Sequence, residues 1–107
     1  MTREEFGGIG VVTDKDGMGD ERIRICTRAL QTYGFDSQRM MLFEEVGELL
    51  NAIAKMARGR ASEEEVITEL ADVSIMVEQM AIHFGYESFI KEKDRKIQRL
   101  LLRLNGN

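Results

Sequence analysis

The chain has no proline, no tryptophan, one cysteine and few aromatic residues of any kind. With no proline to remove a backbone donor, nothing interrupts a long helix, so long helices are expected. A single cysteine, Cys26, excludes an intrachain disulfide and points to a reducing compartment, with the cytoplasm as the expected location. No apolar run approaches the roughly 18 residues of a membrane span, and no charged-then-apolar leader opens the chain, so no membrane partner is expected. The sequence holds no Gly-rich phosphate loop ending in Lys-Ser/Thr and no nucleophilic triad. A net charge of −4 gives no electrostatic footprint for nucleic acid. An acidic protein can still take a polyphosphate if a divalent cation bridges the two. The 43% apolar and 32% charged shares are those of a soluble globular protein, and 107 residues make one domain with a modest core.

What is present reads as helix. Residues 1–19 carry five glycines and form an N-terminal arm, in which Ile9, Val11 and Val12 could make a brief extended piece. Residues 20–107 form the domain. A first helix is expected from Asp20, as N-cap, to Tyr33, with Gly34 as its stop and Ile23, Ile25, Cys26, Ala29 and Leu30 as its apolar residues. A second is expected from the N-cap Asp36 to Ala57, with Phe43, Val46, Leu50, Ile53 and Ala57 on one side. Ser62-Glu63-Glu64-Glu65 is a capping box and opens a third helix reaching Phe84, before Gly85. A fourth covers Glu87 to Leu104, with the stripe Ile90, Ile97, Leu101 and Leu104. The expected fold is therefore all-α: a four-to-five-helix bundle around a central antiparallel helical hairpin. The third helix is apolar around nearly its whole circumference, which predicts burial on all sides. One chain can hardly surround it, so the bundle is expected to be completed by homo-oligomerisation, as a homodimer or homotetramer.

Two carboxylate pairs flank the turn Gly59-Arg60-Ala61. Glu45 and Glu48 are three apart, as are Glu69 and Asp72, so each pair projects from one helix face. Glu48 and Asp72 are equidistant from Arg60, and an antiparallel hairpin pivoting there puts them at one height, with Glu45 and Glu69 within about one turn. Two ionised carboxylates about 5 Å apart repel by roughly 3 kcal/mol at an effective dielectric near 20. A divalent cation removes that cost, and an oxygen-only donor set suits hard Mg²⁺, with Mn²⁺ as the alternative ion. Glu44, Glu63, Glu64 and Glu65 read as ordinary solvated helix charges, His83 as a helix-end polar residue and Cys26 as packing. Tyr33, Phe35 and Phe43 read as core or helix-end packing rather than a base-stacking pocket.

Phe43-Glu44-Glu45-Val46-Gly47-Glu48-Leu49, followed by Glu69-Leu70-Ala71-Asp72-Val73, resembles the paired E-x-x-E and E-x-x-D motifs of the MazG-like branch of the all-α NTP pyrophosphatases. The resemblance spans about residues 20–104 and leaves out the glycine-containing arm. It implies a helical bundle assembling as dimers or tetramers, with Glu45, Glu48, Glu69 and Asp72 holding Mg²⁺. It implies hydrolysis of a nucleoside or deoxynucleoside triphosphate between the α and β phosphates, releasing a monophosphate and pyrophosphate. Lys96-Ile97-Gln98-Arg99-Leu100 is similar to the K-x-x-R-L of the family's later helix, which implies that Lys93, Lys96 and Arg99 hold phosphates. In that chemistry Glu45 or Glu48 is the catalytic base that takes a proton from the attacking water. Two other classes compete. One is a non-catalytic helical oligomerisation or nucleotide-binding regulatory module, in which the acids bind structural metal or pair with arginines. The other is a protein-interaction or nucleic-acid module using the basic fourth helix, with the net charge arguing against nucleic acid. A related-enzyme alternative is a phosphoribosyl-ATP pyrophosphatase-like enzyme, ranked lower because the residues around the acids read closer to the MazG-like branch.

Overall fold

The computed structural model of the chain describes residues 18–106. They form four helices: α1 (Met18–Tyr33), α2 (Phe35–Ala57), α3 (Glu63–Phe84) and α4 (Tyr86–Leu104). Among the described residues there is no strand. The expected all-α class is thus what the described residues adopt, and α2 and α3 run unbroken for 23 and 22 residues. Ile9, Val11 and Val12 lie outside the described residues. Met18 and Gly19, assigned to the arm from sequence, belong to α1.

The helix ends follow local chemistry, with two corrections. Asp20 is not the N-cap of α1; with Glu21 it lies in the first turn. Asp36 is not the N-cap of α2, whose N-cap is Gly34, two residues earlier, with no side-chain cap. Both acids stay where the helix dipole favours negative charge, so the same residue type serves either position. The α3 capping box forms as expected: Glu65 N–H donates to Ser62 Oγ at 3.1 Å and Ser62 N–H to Glu65 Oε1 at 3.0 Å. Single residues, Gly34 at φ 90° and Gly85 at φ 129°, join α1 to α2 and α3 to α4. A side chain at either joint would be strained, so these glycines let the chain change direction within one residue.

The most extensive contact is between α2 and α3; α1 packs on α3 and more lightly on α2, and α4 packs on α3, with Tyr86 and Ile90 sharing a cavity with the start of α1. The α2–α3 connection folds back on the last turn of α2. Gly59 N–H donates to Met56 O at 2.9 Å and Arg60 N–H to Lys55 O at 2.8 Å. The chain therefore reverses early. Gln38 meets Gln79, Glu48 meets Glu69, and Glu45 has Asp72 as its strongest charged neighbour. Each of these pairs is centred on the Arg58–Gly59 bond rather than on Arg60.

Little of the apolar surface is covered within one chain. The buried apolar residues are Cys26, Ala52, Met76 and Ala81, and no side chain among the described residues is fully buried. The stripe expected to seat α2 is largely turned outward, with Phe43 59% and Leu50 63% exposed. The half-buried or buried face of α2 is instead Leu42, Glu45, Val46, Leu49 and Ala52. The α3 helix is not buried on all sides either: Ile67, Leu70, Ile75 and Val77 are exposed, as are Ile97, Leu101 and Leu104 on α4.

Candidate acidic metal site

The i, i+3 spacing of Glu45 and Glu48 aims both at α3, and the early reversal at Arg58–Gly59 brings Glu69 opposite them. One carboxylate oxygen from each of Glu45, Glu48 and Glu69 lies within 4.8 Å of the other two. Asp72 stands outside this group of three but close enough that its charge acts on both Glu45 and Glu69. The expected matched height of Glu48 and Asp72 is replaced by Glu48 with Glu69 and Glu45 with Asp72.

Glu45, Glu69 and Asp72 are half-buried and Glu48 is exposed. Oε1 of Glu45 and Oε1 of Glu69 are each shielded from solvent without a hydrogen-bond donor. Burial raises the Glu45 carboxyl above its ordinary range, and the charges of Asp72 and Glu48 push it further. Burial likewise raises Glu69, followed by the charges of Glu48 and Asp72. Glu48 contacts both, and two carboxyl groups can share a hydrogen bond only when one is protonated. Among the described residues no arginine or lysine forms an ion pair with any of the four acids. The rival expectation that they pair with arginines is therefore not what the fold displays. Convergent carboxylates with orphaned oxygens and no ion-paired cation among the described residues fit a hard divalent ion.

The basic residues expected to hold phosphates are elsewhere. Lys93, Lys96 and Arg99 lie on α4, which makes no contact with α2. Lys93 sits over the Phe89 ring at 5.7 Å, and Lys96 pairs with Glu92 at 3.7 Å. Lys96, Arg99 and Arg103 line one shallow surface cavity. The described residues of one chain do not bring them to the acids, because α4 leaves α3 at the Gly85 joint and packs on α3, not on α2.

The remaining candidates behave as helix-end or packing groups. His83 stacks on Phe35 with ring centroids 3.9 Å apart, and Phe84 meets both edge-on. Tyr33 and Phe43 are exposed in the single chain, so neither is core packing there. Cys26 is buried, and burial together with the Glu78 charge raises its thiol pKa, as suits an inert packing residue. Sequence reading passed over Asn51 and Thr68 and considered Lys55 only as an ion-pair partner of Glu45 or Glu48, a pair the described residues do not form; all three line a cavity with Glu48 and Glu69. The signal was present: Glu48, Asn51 and Lys55 recur at three- and four-residue steps on one face of α2.

No family model, no curated protein and no solved structure matches this chain. Among the described residues no helix is long and apolar enough to cross a membrane.

Proposed function

We propose that this chain is a Mg²⁺-dependent pyrophosphohydrolase acting on a nucleoside or deoxynucleoside triphosphate, in line with the MazG-like resemblance of its motifs. The observation that carries the reading is the convergence of Glu45, Glu48 and Glu69 within 4.8 Å, with two carboxylate oxygens shielded and unpartnered. Glu45, Glu48, Glu69 and Asp72 would hold the ion. When bound, it would neutralise phosphate charge and lower the pKa of a water. The chain's own part is to fix the acids on two packed helices, so that no reorganisation is needed when charge develops. Glu45 or Glu48 accepts the proton from water; for Glu45, burial and the neighbouring charges of Asp72, Glu48 and Glu69 favour holding it.

In this reading α2 and α3 are the central hairpin of a bundle completed by a second copy. The outward α2 stripe and the exposed apolar residues of α3 support it, since in one chain they face solvent. Lys93, Lys96 and Arg99 then serve the acids of a neighbouring copy, because α4 does not reach α2 in its own chain.

The test is a panel of nucleoside triphosphates with and without Mg²⁺, scored for pyrophosphate. Glu48→Gln should lower turnover by at least about 100-fold, the scale of a lost general base or ligand. Glu64→Gln, on the exposed first turn of α3, is the control and should change little. Undiminished turnover in Glu48→Gln would sink the assignment.

A further inference from the structure

We infer that the free end of α4 seats, antiparallel and reciprocally, in a cavity at the root of α4 of a second copy of this chain. Glu45, Glu48, Glu69 and Asp72 take no part in this contact, so it is separate from the catalytic reading.

Every residue from Ile90 to Gly106 is exposed, although α4 continues as helix to Leu104. A helix so poorly covered has little to hold it, since most helical stability in a protein comes from packing an amphipathic face. Such a face is present on α4. Ile90, Ile97, Leu101 and Leu104 follow one another at steps of seven, four and three residues, which keeps them on one side. Leu104, at the tip, is 75% exposed. Arg95, Lys96, Arg99 and Arg103 hold another side, and no acidic residue follows Asp94. Glu92 pairs with Arg95 and Lys96, which leaves Arg99 and Arg103 as the open charges of the free end.

The root of α4 offers the complement. Asp20, Arg22 and Ile23 of α1, Glu78 of α3, and Tyr86 and Ile90 of α4 line a cavity of about 460 Å³. Ile90 belongs to the apolar stripe and Tyr86 lies one turn before it, so the cavity opens on the stripe's side of the helix. Its apolar walls, Ile23, Tyr86 and Ile90, suit Leu101 and Leu104 of another α4. Its two acids outnumber its one cation, and neither Asp20 nor Glu78 forms an ion pair among the described residues. They match Arg99 and Arg103. The same chain cannot fill its own cavity, because Leu101 stands about 16 Å along the helix from Ile90. Charge also sets the direction. Parallel helices would put one basic end beside the other, whereas antiparallel helices put each basic end against Asp20 and Glu78 of the other copy. Each copy then gives one free end and takes one, and the contact closes with two-fold symmetry.

The experiment is disulfide trapping of the full chain in a glutathione buffer, with Cys26→Ser as the background. Ile90→Cys together with Leu101→Cys should give a closed covalent dimer. Within one chain these positions lie about 16 Å apart on one helix, beyond the roughly 7 Å that a disulfide can bridge, so any bond joins two copies. Both side chains are exposed, so replacing them leaves the packing of the single chain in place. Each single variant should run as a free chain on a denaturing gel, because antiparallel pairing holds like positions apart. Arg103→Glu, added to the double variant, should raise the protein concentration for half-maximal trapping about tenfold, since a like charge then meets Asp20 and Glu78. Trapping in Leu101→Cys alone means parallel ends, a ladder of higher species means an open chain of copies, and no trapped dimer means that the free end is not covered by a second copy. Each of these overturns the inference, as does an unchanged midpoint with Arg103→Glu.

Discussion

Glu45 and Glu69 bind a proton more tightly in the folded chain than free glutamate does, and this has a consequence for stability. A group whose folded pKa is raised contributes stability that is complete below its unfolded pKa and is lost as pH rises through the folded value. The metal-free protein should therefore lose melting temperature from mildly acidic to neutral pH, more steeply in wild type than in a Glu45→Gln, Glu69→Gln double variant. Saturating Mg²⁺ at neutral pH should recover the loss, because a ligand bound only by the folded state stabilises it, by about 2.7 kcal/mol at a hundred times its dissociation constant. Thermal melts with chelator and with Mg²⁺ test this. Equal slopes in the two proteins would show that these carboxyls are not the source.

At the scale of elements, the α2–α3 register is what assembles the site, and a buried amide pair marks it. Gln38 Nε2 donates to Gln79 Oε1 at 2.7 Å, and both residues are buried. Gln79→Leu should cost about 1–3 kcal/mol by leaving the Gln38 amide without its partner, whereas Gln38→Leu with Gln79→Leu should come close to wild-type stability. Denaturant unfolding of the single and double variants measures both. A double variant as unstable as the single would mean that packing, not the hydrogen bond, dominates there. The capping box gives a second figure: Ser62→Ala should cost about 1 kcal/mol, since it frees the Glu65 N–H at the first turn of α3.

At the scale of the whole molecule, one chain is short of core. Among the described residues the buried apolar ones are a cysteine, a methionine and two alanines, and Phe43, Leu50, Ile67 and Leu104 stand more than half exposed. Sedimentation equilibrium should accordingly find a homodimer or a homotetramer whose interface buries well over about 1,000 Å². Closed two-fold symmetry is the expected arrangement. Phe43→Glu should push the assembly toward monomer and lower its melting temperature, because it places a charge in the outward stripe of α2. A folded, stable monomer at micromolar concentration would refute the assembly.

The sequence alone determined the four helices and most of their ends, the starts of α1 and α2 excepted. Missing proline, glycines at 34 and 85, and the Ser62–Glu65 box are local signals, and local backbone chemistry decides where a helix starts and stops. It also determined that Glu45 shares a helix face with Glu48, and Glu69 with Asp72, because i, i+3 spacing is a property of one helix. Register was decided by the tertiary structure. A symmetric turn predicts Glu48 level with Asp72, but hydrogen bonds from Gly59 and Arg60 back to α2 shift the pivot and pair Glu48 with Glu69. Which apolar face is used was decided there too. Phe43, Leu50 and Ile53 carry the stronger hydrophobic signal on α2, yet the face seated on α3 holds Glu45 and Ala52. Periodicity records that a stripe is apolar and says nothing about which neighbour covers it. The separation of α4 from the acids is tertiary for the same reason: the spacing of Lys93, Lys96 and Arg99 places them on one helix, and only the bend at Gly85 determines where that helix goes.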